Sequence, residues 1–157
     1  MGLSHLDKDG HANMVDVSNK TITTRTAKAI ALVSFSSDTY QTVIDGNNKK
    51  GDILSVSKIA GIMAAKNTSN LIPLCHPLNI TNVDIEFMFL DDSHDLQIIS
   101  TVTVSGQTGV EMEALVAVNV AALTIYDICK AIDKNIIIKE VKLLEKTGGK
   151  SGEFKRL

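Results

Sequence analysis

The sequence predicts an α+β fold, a mostly antiparallel sheet with helices packed on one face, and three observations carry that prediction. Runs rich in β-branched residues and runs with helical apolar spacing alternate along 157 residues with no linker between them. That length suits a single domain covering 1–157, able to bury roughly 70% of its unfolded surface without a disulfide or metal staple. The longest apolar run is helical in pattern yet shows no polar face, so it must be covered on more than one side.

The elements follow in order. Residues 1–19 are polar, with Asp9-Gly10, Asn13 and Asp16, and read as an irregular arm. Thr, Ile and Val enrichment over 20–35 predicts a strand. Ser36-Ser37-Asp38 caps a short helix carrying Tyr40, Val43 and Ile44 and ending near Gly46, after which 46–52 is a polar loop. Ile59, Ile62, Met63 and Lys66 place a second helix over 53–67. Strands over 80–90 and 96–104 are joined by Asp91–Asp95 as a hairpin. Gly109 precedes a helix of about 25 residues reaching Lys134, and 136–144 closes the sheet, leaving 147–157 as a second arm. Strand, helices, hairpin, long helix, strand is the ferredoxin-like order.

Composition removes several function classes. Sixteen basic and eighteen acidic side chains give a net charge of −2, a poor footprint for a nucleic-acid binder, and 4% aromatics supply no stacking platform for RNA. Residues 134–157 hold seven basic and three acidic side chains, a local +4 on a body of −6. That segment suits either a small polyanion or a solvated tail. Cys75 and Cys129 form no CxxC pair, as expected in a reducing, cytoplasmic setting. Met1–His5 has neither the basic nor the apolar region of a signal peptide, and the apolar run 114–126 is too short to span a bilayer. No membrane partner is expected.

Two constellations could carry chemistry. Asp127 and Lys130 lie three residues apart among Ile125, Ile128, Cys129 and Ile132, so a desolvated pair titrating as one unit is expected, either for proton transfer or as a structural ion pair. Glu113 shares their stripe to within about 40° but sits about 21 Å away along the axis, so one helix cannot bring both to one small substrate. Leu74, Cys75 and His76 stand between Pro73 and Pro77, whose fixed φ stiffens the backbone that presents the imidazole. His76 is thus a candidate acid/base or clamp, with a satisfied core histidine as the alternative. No His or Cys spacing fits a metal. Lys146-Thr147-Gly148-Gly149-Lys150-Ser151-Gly152 is no P-loop, because Leu144 occupies the first glycine position and too little chain follows for a helix. It can still form an anion-binding nest.

Read together, Met14–Ser18, Lys50-Gly51-Asp52, Ile59–Ile62, LIPLCHPL (71–78), TGVEMEAL (108–115), AALTIYDICK (121–130) and GGKSG (148–152) resemble the molybdenum-cofactor biosynthesis protein C family over essentially the whole chain. The resemblance implies a ferredoxin-like subunit in a hexamer, a trimer of dimers, with active sites where subunits meet. It also implies conversion of 3',8-cyclo-7,8-dihydroguanosine 5'-triphosphate to cyclic pyranopterin monophosphate with loss of pyrophosphate. By motif position Asp127 matches the family's catalytic aspartate and Lys130 the lysine one turn on. Leu74, Cys75 and His76, and Met112 with Glu113, match its substrate-binding strips, while Lys50, Glu111 and Lys146 fall on further site positions. Arg25 joins Lys50 and Lys146 as a candidate for neutralising phosphate. No resident cofactor is expected; whether Mg2+ accompanies the triphosphate stays open. A ligand-binding regulatory module of the same fold is the main non-enzyme alternative, and it leaves the Asp/Lys pair and the rigid His unexplained.

Overall fold

The computed structural model describes residues 4–46, 52–150 and 152–156. β1 (Thr23–Ser34), α1 (Ser37–Ile44), α2 (Ile53–Lys66), a one-turn α3 (Thr68–Leu71), β2 (Ile80–Leu90), β3 (Asp95–Gly106), α4 (Glu111–Cys129), β4 (Ile137–Thr147) and β5 (Phe154–Lys155) follow in order. The strands form one antiparallel sheet in the order β2-β3-β1-β4-β5. α4 packs on β1, β3 and β4, and α2 packs on β2 and α4. The expected ferredoxin-like sandwich is therefore present.

Local chemistry sets the element ends. Asp52 accepts from the backbone N–H groups of Leu54 and Ser55, both at 3.1 Å, and starts α2. Ser36 caps α1 by accepting from Thr39 N–H. α4 ends at Cys129, five residues before the expected Lys134. Ile132 and Asp133 N–H both turn back to Cys129 O, and the Asp133 carboxylate is held by Ser36 Oγ (2.9 Å) and Thr39 Oγ1 (3.2 Å). A side chain committed to another helix's cap cannot follow the helical path, which is why apolar pattern alone overran the end. The expected arm over 147–157 carries β5, tied by Arg156 N–H to Leu144 O at 2.7 Å. The N-terminal arm is irregular as expected, and within its described part a single bridge joins Leu6 and Ala12.

The core lies between sheet and helices. Ala27, Ala29, Ala31 and Val33 of β1 and Ile98, Val102 and Val104 of β3 face Ala114, Ala117, Val118, Ala121 and Ile125 of α4. Small residues let α4 sit close: Ser100 Oγ donates to Ala114 O at 2.7 Å from a fully buried position. α4 is long and apolar enough to cross a membrane by length and composition, but here it is the central core helix. Its outward side carries Leu123, and α2 exposes Ile59 and Met63, at 56%, 59% and 65%. Single exposed apolar residues need no explanation, but this set lies on two packed helices.

Candidate active site

The sheet register places the start of β1, the end of β3 and the end of β4 at one edge of the sandwich: Thr23 pairs with Gly106, and Thr26 with Thr147. The segment before β2 arrives at the same edge, since Ile80 pairs with Val104, and α4 begins there just after β3. Motifs far apart in sequence therefore meet. Leu74, Cys75, His76, Glu111, Met112 and Glu113 line one cleft of about 340 Å3. Lys20, Thr108, Gly109 and Glu111 continue into a recess with Arg25 and Lys146, and Lys20 and Arg25 continue into another with Gly149 and Lys150.

The cleft is electrostatically divided. On the carboxylate side, Glu113 is 3% exposed, and burial pushes its carboxyl up from 4.5 to about 7, helped by the like charge of Glu111. Burial, with Glu113 nearby, also raises the Cys75 thiol, so that thiol is not activated as a nucleophile. His76 Nε2 donates to Val15 O at 2.8 Å, which fixes the ring and its tautomer and leaves Nδ1 as the accepting nitrogen. On the basic side, Lys146 Nζ donates to Glu111 Oε1 at 2.9 Å, and Arg25 Nε donates to Gly106 O at 3.0 Å. An acid poised near neutrality beside fixed cations suits proton transfer on a substrate whose negative groups rest on the cations.

Asp127 and Lys130 are elsewhere. The pair is formed, Nζ to Oδ1 at 2.6 Å, and the carboxylate holds the Lys130 ammonium above its ordinary value. The expected desolvation is absent from the single chain: the side chains are 68% and 53% exposed. The physical reason is angular. Ile125 and Cys129 take the inward side of the last turns, which turns Asp127 and Lys130 outward. They also sit at the far end of α4, about 21 Å from Glu113 by helix rise. The desolvated titrating group is Glu113 instead. Lys50 lies outside the described residues; Asp52, two residues on, lines a depression with Val43 and Phe89.

Sequence reasoning missed Lys20, Thr108 and Gly109, each shared between neighbouring parts of the cleft. Thr108 and Gly109 stand inside a string already singled out. Lys20 had only its place at the end of a polar arm as a signal. Among the described residues no group of three or more His, Cys, Asp or Glu is arranged to hold a metal ion.

Comparison with known proteins bears on this geometry. Residues 14–149 match the model of the MoaC family. A protein of Heliobacterium modesticaldum named cyclic pyranopterin monophosphate synthase is 57% identical over 98% of this chain and 97% of its own length. Proteins of the same name from a Thermoanaerobacter strain and from Staphylococcus carnosus are 53% and 52% identical, covering 99% and 98% of this chain and 99% and 96% of their own.

Proposed function

The chain belongs to the MoaC family, and on that premise we propose that it is a lyase of molybdenum cofactor biosynthesis that forms cyclic pyranopterin monophosphate. The substrate is 3',8-cyclo-7,8-dihydroguanosine 5'-triphosphate and the second product is pyrophosphate. The observation that carries the reading is the convergence of Leu74–His76 and Glu111–Glu113 with Arg25 and Lys146 in one cleft. Opening and reclosing a purine-derived ring moves protons on and off nitrogen and oxygen, work suited to Glu113 and His76. Closing the cyclic phosphate forms a bond to the α-phosphorus while the bond to the departing pyrophosphate breaks. Arg25, Lys146 and Lys50 neutralise the phosphate charge in that step.

Asp127 and Lys130 enter this chemistry from a neighbouring copy. Two ends of one helix cannot serve one small substrate, so the assembly is a homohexamer, a trimer of dimers, in which the exposed pair of one subunit completes the cleft of another. The apolar surface at Ile59, Met63 and Leu123 supports such contacts. No redox cofactor is needed, since the reaction transfers no electrons overall, and Mg2+ accompanying the triphosphate is compatible with this reading. The enzyme works in the cytoplasm. Incubation with the cyclised triphosphate, following pyrophosphate and the pterin product, tests the reading; a protein at working concentration that releases neither overturns it.

A further inference from the structure

We infer that Gly149 is a positioning residue, whose missing side chain seats the Arg25 guanidinium in the cleft. The inference rests on the reading that Arg25 is a substrate-contacting group. β4 ends at Thr147, paired with Thr26, and the chain then turns back across β1 through Gly148 and Gly149, with φ of +87° and +79°. Two consecutive residues of left-handed backbone press this turn onto Arg25. A Cβ on Gly149 would overlap Arg25 Nη1 and stand 2.9 Å from Cζ, so only a glycine lets the peptide lie against the guanidinium. On its other side Arg25 Nε donates to Gly106 O at 3.0 Å. The fork is therefore gripped between the end of β3 and the turn after β4. Its neighbours in the two recesses are Lys20, Lys146 and Lys150. Lys146 is held by Glu111, but Lys20 and Lys150 carry the same sign as the guanidinium and favour its release toward solvent. The glycine seat holds it against that repulsion when no phosphate is present.

Gly149 and Gly10 differ in what surrounds them. Gly10 has a similar φ of +83°, but a Cβ there meets nothing within 4 Å. Gly149→Ala and Gly10→Ala thus carry similar backbone strain, and only the first displaces Arg25. In the full-length protein assayed for pyrophosphate release from the cyclised triphosphate, Gly149→Ala is expected to lose about 100-fold in kcat/KM, the scale of a misplacement of about 1 Å. Gly10→Ala is expected to stay within about threefold, because strain without displacement leaves the cleft geometry in place. In an Arg25→Lys background, which lacks the fork, Gly149→Ala should add less than about threefold, since coupled residues are not additive. NMR of the substrate-free wild type should show a slowly exchanging Arg25 Nε–H, absent from Gly149→Ala and retained in Gly10→Ala. Equal losses for the two glycine variants, an undiminished loss in the Arg25→Lys background, or a rapidly exchanging Nε–H in the wild type overturns the inference. If Arg25→Ala itself retains full activity, the reading of Arg25 as a site residue fails instead, and the seat stands as a structural feature visible by NMR alone.

Discussion

Replacing Glu113 with Gln separates the electrostatics of the cleft from its shape. The Glu113 carboxyl ionises near 4.5 when solvated and at about 7 in the folded chain, with burial as the main cause. Between those values the folded protein binds its proton more tightly than the unfolded chain does, so stability falls as pH rises. The contribution is fully present below pH 4.5 and is lost as pH climbs through 7. That difference corresponds to about 3 kcal/mol. Gln has nearly the same volume and never ionises. Wild type and Glu113→Gln should therefore agree within about 1 kcal/mol at about pH 4 and diverge by about 3 kcal/mol at about pH 8, with the variant the more stable.

Urea unfolding of both proteins at intervals of about half a pH unit, at one protein concentration so that assembly contributes equally, reads the difference directly. Asp16, Asp52 and the other titrating groups that do not feel Glu113 are common to both proteins and cancel in it. A difference that stays flat from about pH 4 to about pH 8 refutes a desolvated Glu113. A difference of the opposite sign would mean that hydrogen bonds to the carboxylate outweigh burial. The same ionisation should place a limb of the wild-type kcat/KM profile near pH 7, missing from the variant.

Other expectations follow from particular contacts. Asp127→Ala should abolish turnover while sedimentation still shows the assembly, whose apolar contacts at Ile59, Met63 and Leu123 the change leaves in place; normal turnover would end its catalytic assignment. Gly61→Ala should lower stability by about 1–3 kcal/mol despite its better helix propensity, since the new Cβ would overlap Ile85 Cδ1 and stand 2.9 Å from the backbone O of Ala117; thermal unfolding checks it. Ser100→Ala should cost about 1 kcal/mol by loss of the buried bond to Ala114 O, read in urea.

The fold was legible where pattern and turn chemistry agree. β2 falls on 80–90 as read, because β-branched and aromatic residues fill it and Asp91-Asp92-Ser93 closes it with His94 in the left-handed region. The end of α4 was not legible, because its signal is a long-range bond from Asp133 to Ser36 and Thr39 and not a local stop residue. The same limit applies to β5, two residues long and defined by pairing with β4. At the site, the strings around His76 and Glu113 named the cleft lining, but periodicity could not say which carboxylate of α4 is dry. Burial on a helix that is apolar on every side is decided by what packs over each stretch of it: Glu113 shares the cleft with Leu74, Cys75 and His76 and is 3% exposed, while Asp127, on nearly the same stripe at the far end, is 68% exposed.

Dryness and charge are thus split between the two ends of α4. A carboxyl held near neutrality by burial is effective as an acid or base only while water is kept from it, and Glu113, 3% exposed, meets that condition in one chain. The Asp127–Lys130 pair does not: an ion pair in water does little chemistry, because solvent screens each partner. Docking the far end of one α4 against the cleft end of another would dry the pair and bring it to the substrate. Dilution of the protein below the concentration at which it assembles should then lower activity per subunit while the limb near pH 7 stays in place, because Glu113 is already buried in the single chain. Activity per subunit that is constant through full dissociation would require the cleft of a single chain to be sufficient and would leave Asp127 without a role in it.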